Sequence, residues 1–231
     1  GAEPSAVVIG LAFPRDLDRR WVSDFQEGVV EECARAGVSL VGGDLSSSPH
    51  IALGVTALGN LSGRPGITRA GARIGDQVAV CGRLGCSAGG LLVLQRGFGS
   101  PKDLVLEQQC PTVPYGQGKA AADAGATAMI DVSDGLLQDL GHICELSGVG
   151  IDVRTAALKI HDSLARLAAA TGKDPLGFVL AGGEDHALAA TFPAQVELPQ
   201  DWLRIGTVTS GAEVIVDGMP WTGSVGWDHF A

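Results

Sequence analysis

The apolar run Ala126-Thr-Ala-Met-Ile130 breaks into Asp131-Val-Ser-Asp134-Gly-Leu, after which Leu136, Leu137, Leu140, Ile143 and Cys144 recur at helical spacing. A short buried run that switches to a 3.6-residue period marks a strand handing over to a helix, and Gly148 supplies the stop. The spacing predicts a helix beginning near Ser133. Any fold for this chain must therefore carry two carboxylates and a hydroxyl where a strand ends and a helix begins. One acid there is ordinary, because first-turn amides and the helix dipole attract negative charge. Two acids held close disfavour joint ionisation unless a cation sits between them, and magnesium, a hard ion with oxygen ligands, meets that need. At this level two readings remain open: the acids bind a cation, or Asp131 ends the strand while Ser133 or Asp134 caps the helix.

The bulk properties narrow the classes. Hydrophobic residues make up 45% of the 231 and aromatics 5%, so the core must be built from Ala, Val and Leu. The 34 glycines exceed the usual share of about 7% roughly twofold, which predicts many tight turns and close backbone approaches. The net charge is 16 minus 26, or −10, with no Lys/Arg-rich run, which argues against a nucleic-acid groove and requires metal ions to mediate any anionic ligand. Five cysteines, scattered and without C-x-x-C spacing, argue against a disulfide framework and a zinc site, and a reduced cytoplasm is the expected home. No apolar run approaches the ~18 residues of a membrane span, and no signal peptide opens the chain. The chain opens on Gly1 and is already in a strand by Ala6, so an upstream segment is expected to be missing.

Along the chain, Ala6 to Ala12 reads as a strand. Pro14 and Asp16 open a helix lined by Trp21, Val22, Phe25, Val29, Val30 and Cys33 and closed by Gly37. Strands at 38–41 and 51–58 complete a βαββ unit. Turn residues concentrate in Asn60 to Gly66, which places a domain boundary there and gives domains 1–65 and 66–231. Beyond it the pattern predicts a strand at 77–81, helices at 87–96, 101–109 and 117–124, and the strand and helix around Asp131. A strand at 149–153, helices at 163–170 and 176–180 and a strand at 186–192 follow. Segments 203–208 and 214–216 read as a terminal hairpin around Ser210-Gly211. Adjacent strands mixed with helices favour α+β layers with mixed sheets over a doubly wound parallel sheet.

Other constellations are ambiguous one by one. Gly42-Gly43-Asp44 follows a buried strand and reads equally as a glycine turn with a capping Asp or as a carboxylate beside a close-approaching ligand. Gly182-Gly183-Glu184-Asp185 repeats that text with two acids. Thr68-Arg69 precedes Gly71 and Gly75-Asp76; Arg69 could grip a phosphate or lie solvated. His142 reads as a packed or surface histidine, and His50, His161 and His186 have no spaced partners. Trp227, in Gly226-Trp-Asp-His-Phe230, either packs down or stacks on a flat ring.

In this order, the five motifs Gly42-Gly43-Asp44, Thr68-Arg69-x-Gly71-Ala-x-x-Gly75-Asp76, Ile130-Asp131-Val-Ser-Asp134-Gly-Leu, Gly182-Gly183-Glu184-Asp185 and Gly226-Trp-Asp-His-Phe230 resemble those of the thiamine-monophosphate kinase family. The first three are shared across the aminoimidazole ribonucleotide synthetase-like superfamily, while Trp-Asp-His-Phe is the more specific. The resemblance implies a two-domain fold of that superfamily, its first domain truncated here, and transfer of the ATP γ-phosphoryl group to thiamine monophosphate with several Mg²⁺ ions. It further implies metal ligands at Asp44, Asp131 and Asp134, and ATP contacts at Gly43, Asp44, Arg69 and Ser133. Glu184, Asp185 and Trp227 would form the substrate side. Direct in-line transfer without a phosphoenzyme, and a homodimer paired through the N-terminal halves, follow from the same likeness. The family's N-terminal segment, with further magnesium-binding acids, has no counterpart in this sequence, so the chain is expected to be catalytically incomplete. Phe25-Gln26 stands where relatives place an aromatic near the nucleotide. Two alternatives are carried: a superfamily relative such as a selenophosphate or aminoimidazole ribonucleotide synthetase, and a non-catalytic nucleotide-binding protein.

Overall fold

The computed structural model describes residues 1–227. It divides into two compact units, Gly1–Gly66 and Ile67–Ala231. In the first, strand β1 (Glu3–Phe13) leads through helix α1 (Arg19–Ala36) to β2 (Ser39–Ser47) and β3 (Ala52–Asn60). The sheet order is β2-β1-β3, with β1 parallel to β2 and antiparallel to β3. Asp18 caps α1 by accepting the Arg20 amide at 2.9 Å, and Gly37 ends it in the left-handed region at φ 67°. Gly42-Gly43-Asp44 is not a turn. It lies inside β2, with Gly43 opposite Ile9 and Asp44 opposite Gly10. A Cβ on Gly43 would overlap the Ile9 carbonyl oxygen, so the glycine lets the neighbouring backbone close in and the ladder continues.

The second unit is built on a seven-stranded mixed sheet of order β10-β9-β6-β8-β4-β7-β5. Its strands are β4 (Gln77–Cys81), β5 (Ala128–Val132), β6 (Gly150–Val153), β7 (Ala187–Phe192), β8 (Leu203–Thr209), β9 (Val214–Val216) and β10 (Met219–Pro220). The α-helices are α2 (Cys86–Gln95), α3 (Lys102–Gln109), α4 (Gln117–Asp123), α5 (Leu136–Ser147), α6 (Asp162–Thr171) and α7 (Pro175–Ala181). Both sheets are mixed, as the α+β reading requires. One expectation fails: β8 and β9 do not form a hairpin. The fully buried β6 lies between them, antiparallel to β8 and parallel to β9. The 210–211 turn passes over Gly150, where a Cβ would meet Gly211 Cα at 2.8 Å. The true hairpin is β9–β10, closed by Asp217-Gly218 with φ of 50° and 79°, the type I′ geometry that an Asp-Gly pair favours.

The main core joins Val78, Val80, Ile130 and Val132 of the sheet to Leu136, Leu140, Ile143, Leu164 and Leu180 of the helices, all essentially buried. Strands β4 and β5 both run antiparallel to β7, so they run parallel to each other. Their C-terminal ends and the N-terminal end of β7 therefore share one sheet edge. Segments 82–86, 131–135 and 182–186 all emerge there.

Candidate functional site

At that edge β5 ends at Val132, and α5 starts at Leu136 rather than near Ser133, with Gly135 as its N-cap and no cap from its own side chain. The alternative reading, in which Ser133 or Asp134 caps the helix, does not hold. The cap comes from inside the helix: Oδ2 of Asp139, 2% exposed, accepts the amides of Ser133, Asp134 and Gly135 at 3.0, 3.1 and 3.1 Å. Burial pushes the Asp139 carboxyl above its ordinary range, and the three amide bonds pull it part of the way back.

Asp131 is exposed on β5 and lines a groove of about 590 Å³ with Arg69, Ile67, Met129, Leu146 and Leu188. A carboxylate and a guanidinium thus face one hollow with apolar walls. The Arg69 segment is pinned beside β5 by its neighbours: Met129 N donates to Thr68 O at 3.0 Å, and Ser147 Oγ donates to Arg69 O at 3.0 Å. Gly71, at φ 147°, brings its Cα against the Thr127 carbonyl where no side chain fits.

Two further motifs dock on the same loop. Glu184 N donates to Ser133 O at 2.7 Å and His186 N to Val132 O at 3.1 Å. Trp227 N donates to Asp134 O at 2.9 Å, while Gln138 donates from N to Val225 O at 3.1 Å and from Nε2 to Trp227 O at 2.8 Å. Glu184 and His186 both hold positive φ, 65° and 52°, a conformation that costs non-glycine residues energy and concentrates at functional sites. The Glu184 side chain is 66% exposed, with His186 Nε2 3.7 Å from its Oε2. Trp227 is 63% exposed, so its ring is not packed down. Asp228, His229 and Phe230, the rest of that motif, lie outside the described residues.

Asp185 behaves differently from its neighbour. It is 4% exposed, and its carboxylate accepts the amides of Gly85 and Ser87 at the start of α2. Burial pushes its pKa up to about 6. The expected substrate contact at Asp185 is replaced by a buried cap, because both carboxylate oxygens are committed to backbone amides.

In the first unit, Gly43 and Asp44 line a hollow of about 280 Å³ with Phe25, Gln26, Val29 and Leu11. Asp44 is exposed, and Ser46 Oγ donates to its Oδ2 at 3.1 Å. Among the described residues no group of three or more His, Cys, Asp or Glu is gathered tightly enough to cage an ion. Sequence reasoning missed Asp139 and Gln138. The signal for Asp139 was present: an acid one turn from Leu136 and Ile143, on the face that must be buried.

The chain matches the family models for AIR synthase related protein, N-terminal domain, over residues 1–61 and C-terminal domain over residues 73–218. Thiamine-monophosphate kinase of Mycobacterium tuberculosis is 47% identical over 232 residues, covering 100% of this chain and 69% of that protein. The solved structure of AaThiL complexed with AMPPCP and TMP superposes with a TM-score of 0.89 at 32% identity, over 100% of this chain and 75% of that one. Thiamine monophosphate kinase from Aquifex aeolicus gives 0.87 at 32% identity, over 95% of this chain and 76% of that one.

Proposed function

The chain belongs to the thiamine-monophosphate kinase family and is a kinase, and from that premise we propose that it transfers the γ-phosphoryl group of ATP to thiamine monophosphate in a single in-line step. The observation that carries this reading is the convergence of the Asp131–Asp134 loop, Glu184 and Trp227 through backbone hydrogen bonds of 2.7 and 2.9 Å. One segment offers oxygen donors for phosphate-bound cations. The other two offer an exposed carboxylate and an exposed indole face, which together suit a cationic aromatic ring. A relative solved with AMPPCP and TMP supports the pairing of these two ligand chemistries.

Phosphoryl transfer asks the protein for positioning and charge neutralisation rather than for a nucleophile. Arg69 would grip phosphate oxygens with its planar fork, from a segment tied to β5 at Thr68. Ser133 would add a hydroxyl, and Gly43 would contribute its backbone beside Asp44. Glu184 and Trp227 would orient the acceptor. Asp185 leaves the substrate set and becomes a positioning residue, holding the start of α2.

Magnesium prefers one or two protein carboxylates supplemented by substrate oxygens and water, not a closed protein cage. The donor set here fits: Asp44 stands singly in one unit, Asp131 and Asp134 stand three residues apart in the other, and no tighter cluster is found among the described residues. Those three residues would hold the ions. Bound there with nucleotide, magnesium would supply charge neutralisation at the phosphate oxygens.

A homodimer belongs to the same proposal. The first unit exposes Val41, Leu45, Leu53 and Val55 on its sheet, at 62, 67, 49 and 62%. Apolar patches of that kind mark association surfaces.

The mechanism is tested in the full-length protein with ATP made chiral at the γ-phosphorus by oxygen isotopes. A single in-line step inverts the configuration in thiamine diphosphate; retention would rule it out. In parallel, Asp131→Asn is expected to lower turnover at least ~100-fold, as loss of a charge-stabilising group does, with the thermal transition unchanged.

A further inference from the structure

A trans peptide unit is planar, so its N–H and its C=O point in opposite directions. That constraint applies three times in succession after β5. The amides of Ser133, Asp134 and Gly135 all turn inward to Oδ2 of Asp139, at 3.0, 3.1 and 3.1 Å. The carbonyls of the same three peptide units belong to Val132, Ser133 and Asp134, and they turn the other way. Each of them accepts one amide from outside the loop, two from the 182–186 segment and one from the C-terminal motif: His186 at 3.1 Å, Glu184 at 2.7 Å and Trp227 at 2.9 Å.

We propose that Asp139 is the positioning residue of this site, a buried carboxylate that fixes the rotation of three consecutive peptide planes. Through them it sets the loop bearing Asp131, Ser133 and Asp134 and, at the same time, the backbones of Glu184 and Trp227. Buried as it is, Asp139 is closed to direct contact with nucleotide or acceptor. It is 2% exposed, and it reaches the reaction only through other residues. A neutral side chain of the same shape would accept the amides more weakly, since bonds to an ionised acceptor are roughly twice as strong as neutral ones. Each plane would then gain freedom at both ends together. The consequence for ligand binding rests on the function proposed above, whereas the coupling of the three planes does not.

Both parts are tested with Asp139→Asn, and with Asp139→Ala as a harsher variant if the first is mild. Amide hydrogen exchange is followed residue by residue, and calorimetry measures AMPPCP binding in magnesium. In Asp139→Asn the amides of Glu184, His186 and Trp227 should exchange at least ~10-fold faster, in parallel with those of Ser133, Asp134 and Gly135. AMPPCP affinity should fall about 10–100-fold, as for removal of partners that orient a metal site. If the loop amides are released while Glu184, His186 and Trp227 keep wild-type protection, the coupling is refuted. If all six amides are released and AMPPCP binds as before, the coupling stands and the nucleotide role of the loop falls.

Discussion

Gly183 is where two motifs meet at backbone distance, and adding one methyl group there tests that contact. A Cβ on Gly183 would stand 2.5 Å from Ser133 O and 3.2 Å from Asp134 O, and its backbone φ lies outside the left-handed region, so the strain is contact alone. An ordinary carbon–oxygen contact is about 3.3–3.6 Å, so the two segments must separate by roughly 1 Å. Neither can yield cheaply: the 133–135 amides are held by Asp139, and Gly182 N is bonded to Phe178 O at 2.8 Å. The least costly relief stretches the Glu184–Ser133 hydrogen bond. Its loss costs about 1 kcal/mol and the residual overpacking about 1 kcal/mol or more. The sum of about 2 kcal/mol corresponds to a drop in Tm of roughly 4–8 °C for a chain of this size. The assay is thermal denaturation by circular dichroism, with exchange at the Glu184 amide read alongside. Gly141→Ala serves as the control: Gly141 is in mid-helix α5 with nothing within 4 Å of its Cβ position, so alanine there should raise stability by about 0.5–1 kcal/mol. A Gly183→Ala protein with wild-type Tm and a protected Glu184 amide would refute the close approach.

Two further outcomes follow from charge and exposure. Asp185 has a folded pKa of about 6 against an ordinary 3.8, so its ionised form opposes folding. The penalty is full above pH 6 and fades as pH falls toward 4, so acidification through that window should stabilise wild type relative to Asp185→Asn by about 3 kcal/mol; equal pH slopes in urea titrations of the two proteins would sink this. The exposed apolar sheet of the first unit predicts a particle of twice the 23.6 kDa chain mass in light scattering. Val55→Lys should halve it, and a monomeric wild type would remove the dimer reading.

What could be read from the residues was whatever depends on local period and local caps. The strand-to-helix switch at Asp131 was visible because a short apolar run gives way to a 3.6-residue period sustained from Leu136 to Ser147. Helix α1 was visible because Gly37 ends it in a conformation that glycine adopts without strain. The failures share a different cause. Gly42-Gly43 looked like a turn because glycine pairs usually are; what keeps them in β2 is the Ile9 backbone, about thirty residues away in sequence. The β8–β9 hairpin looked sound because both segments are β-like and near in sequence. It fails because β6, buried throughout, needs a partner on each side. The Asp217-Gly218 pair was a genuine local signal, passed over in favour of Ser210-Gly211.

The site divides along the same line. Asp131, Ser133, Asp134, Glu184 and Trp227 stand out as residue types, but nothing in their spacing says that they share backbone hydrogen bonds across 50 to 90 residues of chain. That depends on which strands are neighbours, and β5 beside β7 is a tertiary fact. Asp139 shows why type alone misleads at such a place. By composition it is one more acid in an acidic chain, and by position it is an anomaly on a buried helical face. A buried carboxylate is costly unless it is bonded, so its presence there implies donors close by. The nearest unsatisfied donors in any helix are the amides at its own N-terminus. An acid on the inward face of the first helical turn thus implies that the preceding loop has turned its amides inward. In a loop of trans peptides, its carbonyls must then be turned outward to meet something else. Which segments they meet is set by the pairing of β5 with β7, and here the outward carbonyls of Val132, Ser133 and Asp134 meet His186, Glu184 and Trp227.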